Sequence, residues 1–89
     1  MLTDKFINIT RKFLEKYNQR YCAKFNCNIT SSDTSISPYN TWGFDSLDMV
    51  EYIIELEWAY NIEISDDDAM ELMTIGKLCD FCEKKSKGK

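Results

Sequence analysis

Apolar residues return along this chain at helical intervals, and four segments separate on that basis. Residues 3–24 place Phe6, Ile9, Phe13 and Tyr17 on one face and Lys5, Arg11, Lys12, Lys16 and Arg20 on the other. That is the pattern of a helix with one side to a core and one to water. Thr3 supplies its cap. Residues 25–44 lose the period: polar residues from Asn26 to Ser37 mark a long loop, and Pro38 is expected to close off any helix there. Ile29, Ile36, Tyr39 and Trp42 are spaced to pin that loop to the helices. Residues 45–60 form the second helix, with Met49, Ile53, Leu56 and Tyr60 on its apolar face and Val50 and Ile54 beside them. So wide an arc implies two packed neighbours or an exposed apolar strip ringed by Glu51, Glu55 and Glu57. Ile62-Glu63-Ile64 is a short extended link. Ser65 opens a short third helix, with Asp68 in the reciprocal capping position and Ala69, Leu72 and Met73 as its apolar side. Thr74 starts the fourth, where Ile75, Leu78, Cys79 and Cys82 face inward and Phe81 covers the edge. Lys84, Lys85, Lys87 and Gly88 then end the chain in a basic, frayed tail. The predicted class is all-α: a small four-helix bundle of three longer helices and a short third, with a long loop between the first and second.

The densest local chemistry lies at Gly43-Phe44-Asp45-Ser46-Leu47-Asp48. Asp45 is placed as an N-cap whose carboxylate accepts from the free N–H groups of the first turn. Asp48 adds a negative charge where the helix dipole favours one. Gly43 allows a sharp turn before the cap. Phe44 and Met49 have the spacing of a hydrophobic staple. Ser46 becomes the first helical residue, a hydroxyl at a positive helix end, where a phosphate is tolerated. It is poorly placed as a nucleophile: the chain has no histidine, so Ser–His activation is impossible.

A chain of 89 residues buries roughly 60–65% of its unfolded surface, enough for one modest core and rarely for a deep catalytic cavity as well. A single domain over 1–89 is expected, with its core at about 3–84 and a basic tail over 85–89. No apolar run reaches transmembrane length, and Met1-Leu2-Thr3-Asp4-Lys5 does not open a secretory leader. The expectation is a soluble, cytoplasmic, monomeric protein. The net charge of −4 hides an asymmetry: residues 45–71 carry −10 and no Lys or Arg, and the rest carries +6. Such an acidic face repels nucleic acid and suits a basic patch on another protein. Cys22 with Cys27 and Cys79 with Cys82 have spacings that also occur in zinc sites, but Cys79 and Cys82 fall at apolar helical positions and read as packing. Ser65-Asp66-Asp67-Asp68 lacks the spacing and the glycine of a calcium loop and reads as a helix start. No acid–base pair or phosphate-binding loop points to an enzyme.

Gly43-Phe44-Asp45-Ser46-Leu47-Asp48 resembles the Gly-x-Asp-Ser-Leu modification motif of acyl carrier proteins. The resemblance continues through Val50-Glu51, Leu56-Glu57 and Tyr60, then Ile62-Glu63-Ile64 with Ser65 to Ala69, then Thr74 to Leu78. It implies that a phosphopantetheinyl transferase attaches 4′-phosphopantetheine to Ser46 and that the arm carries acyl chains as thioesters, for fatty-acid or a specialised acyl biosynthesis. It implies that Asp45 and Leu47 meet the transferase. It implies that Asp48, Met49, Val50, Glu51, Ile54, Glu55 and Glu57 meet partner enzymes with basic docking patches. Leu56, Tyr60, Ile64 and Leu72 are candidates for the walls of an acyl cleft. A carrier for aminoacyl or polyketide units, or an unmodified acidic interaction module, is the alternative. The chain departs from the family pattern at Thr41 and Trp42 before the glycine, at Tyr52, at Trp58 and at Cys79 and Cys82. These departures bear on the cargo and not on the serine.

Overall fold

The computed structural model describes residues 1–87. Five helices follow one another: α1 Asp4–Tyr21, α2 Pro38–Thr41, α3 Ser46–Tyr60, α4 Asp66–Glu71 and α5 Ile75–Lys87, with no strand among the described residues. The three long helices and the short α4 follow the expected all-α plan. The extra element, α2, corrects the reading of Pro38 as a helix stop. Proline stands at the first position of that turn, where its missing N–H has no acceptor to lose. Ser37 caps it, with Oγ accepting from the N–H of Asn40 at 3.4 Å. The chain end also differs from expectation, because α5 keeps Lys84, Lys85 and Lys87 helical. Lys85 reaches the carbonyl of Glu63, and cations suit the negative end of a helix. The expectation for Gly88 lies outside the described residues.

α1 begins at its Thr3 cap, which accepts from the N–H of Phe6 at 3.3 Å. It stops at Tyr21 and not at 24, because Cys22 turns left-handed at φ 52°. Asn18 then fastens the departing chain, accepting from the N–H of Phe25 at 3.1 Å and donating to its carbonyl at 3.0 Å. The buried residues of α1 are Phe6, Ile7, Thr10, Phe13 and Leu14. Ile9, expected at the centre of the apolar face, sits at its margin. The face turns towards Thr10 because the Tyr52 hydroxyl, inside the core, bonds the Thr10 hydroxyl at 2.6 Å. A buried hydroxyl without a partner would cost on the order of 1–3 kcal/mol, so each side chain makes the other tolerable.

α3 is the central element, packing on α1 and on α5. Met49, Tyr52, Ile53, Leu56 and Tyr60 are buried along it, as are Ile75, Leu78, Cys79 and Cys82 of α5. Burying four or five such side chains per helix, at roughly 1.5–3 kcal/mol each, is what holds the helices together. The 22–44 connection is tied down at several points: Ile29 and Trp42 are buried, and Ile36 and Tyr39 pack on the core. Backbone bonds tie it as well. The N–H of Ile75 donates to the carbonyl of Ile36 at 2.9 Å, and that of Gly76 to Thr34 at 3.1 Å. These loop carbonyls satisfy first-turn donors of α5 that have no acceptor within the helix.

Candidate functional site

The site is built at the start of α3. Gly43 takes φ +67° with open space around it, turning the chain without the penalty a side chain would carry. Phe44 is then driven inward. Its ring lies among those of Phe13, Tyr17, Phe25, Trp42 and Tyr52, with centroids from 5.1 to 6.4 Å away. Such pairs contribute roughly 0.5–1.5 kcal/mol each beyond their burial. This cage fixes the residue just before the cap, and so fixes where the helix starts.

Asp45 and Asp48 then close a reciprocal capping box. Asp45 Oδ1 accepts from the N–H of Asp48 at 2.8 Å, and Asp48 Oδ2 accepts from the N–H of Asp45 at 3.2 Å. The Tyr17 hydroxyl donates to the same Asp48 oxygen at 3.2 Å. Burial, and then the neighbouring Asp48 carboxylate, push the Tyr17 phenol above its usual range, so it remains a donor. The carboxylate of Asp48 is thereby spent on the fold.

Ser46 follows the cap as the first residue of α3, and it is exposed. No hydrogen bond engages its hydroxyl among the described residues. Its own N–H and that of Leu47 stand at N1 and N2, where no intrahelical acceptor exists. Leu47 is 64% exposed. Ser46 also forms one lip of a groove of about 390 Å³ between α3 and α4. Val50, Ile53 and Ile54 line it from α3, Ile64 from the link, Ala69 and Met70 from α4, and Tyr39 from α2. An outward hydroxyl, free helix N–H groups and an adjoining apolar trough fit a phosphate-linked arm ending in an apolar load.

The other expected site residues divide. Val50 and Ile54 are exposed on α3, with Glu51 and Glu55 half-buried beside them. Glu51 also pairs with Arg20 of α1 at 3.6 Å. Asp48 and Met49, expected on the partner surface, are buried, Asp48 as a capping acid and Met49 as core. Glu57 turns its carboxylate to the N–H of Ile64 at 2.8 Å and braces the link. Of the four expected cleft residues only Ile64 lines the groove. Leu56 and Tyr60 are buried core; the Tyr60 hydroxyl lies 3.4 Å from that of Thr3, and Lys5 covers its ring. Leu72 packs on the core, outside the groove lining. Met73, expected inward, is 45% exposed. Ile53, Ala69 and Met70 are the walls that the sequence reading missed. Counting from the Ser65 cap, positions 66, 69 and 70 share a face at helical spacing, and this signal finds the α4 wall.

Comparison with known proteins agrees with this geometry. The family described as "Phosphopantetheine attachment site" matches residues 23–82. The acyl carrier protein of Porphyromonas gingivalis is 38% identical over 64 residues, 72% of this chain and 82% of that protein. The acyl carrier protein of Buchnera aphidicola from Acyrthosiphon pisum is 50% identical over 44 residues, 49% of this chain, and the match spans about half of that relative, 55% of its length. Residues 23–82 hold the exposed serine, its capping box and both walls of the groove, and the chain belongs to the phosphopantetheine-attachment family in which these acyl carrier proteins are found.

Proposed function

We propose that this chain is an acyl carrier whose point of attachment is Ser46. The 4′-phosphopantetheine arm, when bound, supplies a terminal thiol on which acyl groups are held as thioesters. Everything else the chain contributes is placement. The capping box and the aromatic cage hold the Ser46 hydroxyl outward at a fixed helix start. The chain has no histidine, and among the described residues no base is bonded to that hydroxyl, so the proton is removed by a group on the phosphopantetheinyl transferase. Exposed Asp45 and Leu47 flank the serine as its contacts. Partner enzymes with basic patches read Glu51 and Glu55 together with the apolar pair Val50 and Ile54. The groove beside Ser46 shelters the acyl chain. The protein performs no chemistry of its own and works as a monomer in the cytoplasm. No described helix is long and apolar enough to cross a membrane.

The exposed Ser46 hydroxyl beside an apolar groove carries this reading. Incubation with coenzyme A and a broad-specificity phosphopantetheinyl transferase, followed by intact mass measurement, tests it. The wild-type chain is expected to gain one phosphopantetheine and Ser46→Ala none. An unchanged wild-type mass would overturn the carrier reading and leave an unmodified interaction module in its place.

A further inference from the structure

The α1–α3 seam runs along the other side of α3 from the Ser46 groove, and the carrier reading uses its Glu51, Ile54 and Glu55 but leaves Trp58 and the α1 rim without a task. Trp58 stands there, 76% exposed. Two hollows of about 230 and 300 Å³ border its side chain, and both are lined by Phe13, Lys16, Glu55 and Trp58. Together they form a trough along the α1–α3 seam, from Ile9 at one end to Tyr21 at the other. On α1 that is twelve residue steps, about 18 Å at the helical rise, or three turns. The floor is aromatic and aliphatic. The α1 rim carries Lys12, Lys16 and Arg20. Arg20 is balanced by Glu51 at 3.6 Å, while Lys12 and Lys16 enter no ion pair among the described residues.

We infer that this trough docks an amphipathic helix of a partner protein, about three turns long, with large apolar residues on one face and carboxylates along the flank that meets Lys12 and Lys16. Trp58 is its central anchor. Exposed indoles of this kind dominate binding where a partner desolvates them, and helix-in-groove recognition uses apolar anchors at this pitch. A carboxylate flank is chosen by the two unpaired lysines on the α1 rim. An anionic membrane is the poorer match. The trough is concave, Glu51 and Glu55 stand within it, and residues 45–71 as a whole carry −10. The α3 rim, with Glu51 and Glu55, thus suits the basic partner of the carrier reading, and the α1 rim, with Lys12 and Lys16, suits an acidic one. Ile54 borders the Ser46 groove and the 230 Å³ hollow and is the wall between them. The inference does not depend on modification of Ser46.

The test uses the full chain and a synthetic amphipathic peptide of about 16 residues, with leucines at helical spacing and a glutamate flank. Its controls are the same peptide with lysines for glutamates and vesicles of phosphatidylglycerol. Trp42 is buried, at 7% exposure, so a change in tryptophan emission reports on Trp58. Titration is expected to give a saturable blue shift with the glutamate peptide alone. Trp58→Ala should weaken binding about 30-fold, read by backbone amide shifts of α1. Lys16→Glu should weaken it about 10-fold, and Ser46→Ala should leave it unchanged. Both Trp58 and Lys16 are exposed, so circular dichroism should show both variants folded. Equal binding of the lysine peptide, tighter binding to the vesicles, self-association of the chain through this face, or no saturation at millimolar peptide would each overturn the inference.

Discussion

The two helices that wall the groove beside Ser46 are built to opposite standards. α3 has fifteen residues, a complete capping box and six buried side chains, among them the capping acid itself. α4 has six residues, a single cap in which Ser65 Oγ accepts from the N–H of Asp68 at 3.1 Å, and no buried residue. Three aspartates crowd its first turn, where the helix dipole tolerates them, but little apolar contact holds it down. Helices with few buried contacts open at far lower cost than the global unfolding free energy. The contrast separates two duties. On the carrier function proposed above, the serine must sit at a constant place for the transferase to find it, whereas the wall opposite must yield if loads of different length are to enter.

Alkali gives the largest expected effect on this contrast, because it attacks only the packed side. The Cys82 thiol ordinarily titrates near 9, and burial, then the neighbouring Cys79 and Glu83, push it up to about 12. Burial also raises the phenols of Tyr52 and Tyr60. The folded chain therefore keeps protons that the unfolded chain releases. The Cys82 contribution is complete below pH 9 and is lost as pH rises towards 12. Urea midpoints measured by circular dichroism should be flat from pH 7 to 9 and fall steeply above it. A midpoint that held to pH 12 would mean that these groups are not shielded from solvent.

Next in size, Leu56→Ala on the packed side should cost about 3 kcal/mol in urea denaturation. Met70→Ala on α4, 71% exposed, should change stability by less than about 0.5 kcal/mol. Equal costs would erase the distinction between the walls. Smaller than the Leu56 effect, Asp48→Ala removes one half of the capping box and the acceptor for Tyr17. It should cost about 1–2 kcal/mol and slow modification of Ser46 by loosening the helix start. A loss of partner binding with no loss of stability would instead return Asp48 to the docking surface.

What the sequence made legible follows the range of the interactions. Thr3, Asp45, Ser65 and Thr74 were readable as helix starts because a cap is settled within four residues. The second helix, with fifteen residues of clear period, showed Met49, Ile53, Leu56 and Tyr60 of its buried face, which Tyr52 and Asp48 complete. The first was misread at Ile9 because Thr10 is drawn inward by a tyrosine 42 positions away, which no local pattern records. Pro38 carries two meanings, and only the Ser37 cap decides between stop and start. At the site, Ser46 stood out by its surroundings, yet Asp48, Glu51 and Glu57 look alike as letters. One caps the helix, one pairs with α1 and one braces a link. Met73 was expected on the same helix as Ala69, but α4 ends at Glu71, so its helical period does not reach that far.

Gly76 joins the long connection to the rest. A side-chain carbon there would come within 2.6 Å of the Thr34 carbonyl oxygen, so the absence of one lets two stretches of backbone touch and bond. Together with the bond from the Leu2 N–H to the Ser31 carbonyl at 2.9 Å, this contact fastens residues 31–34 of the connection to the starts of α1 and α5. The scaffold is braced along that flank, and the give that a carrier requires is left to the short helix facing the serine.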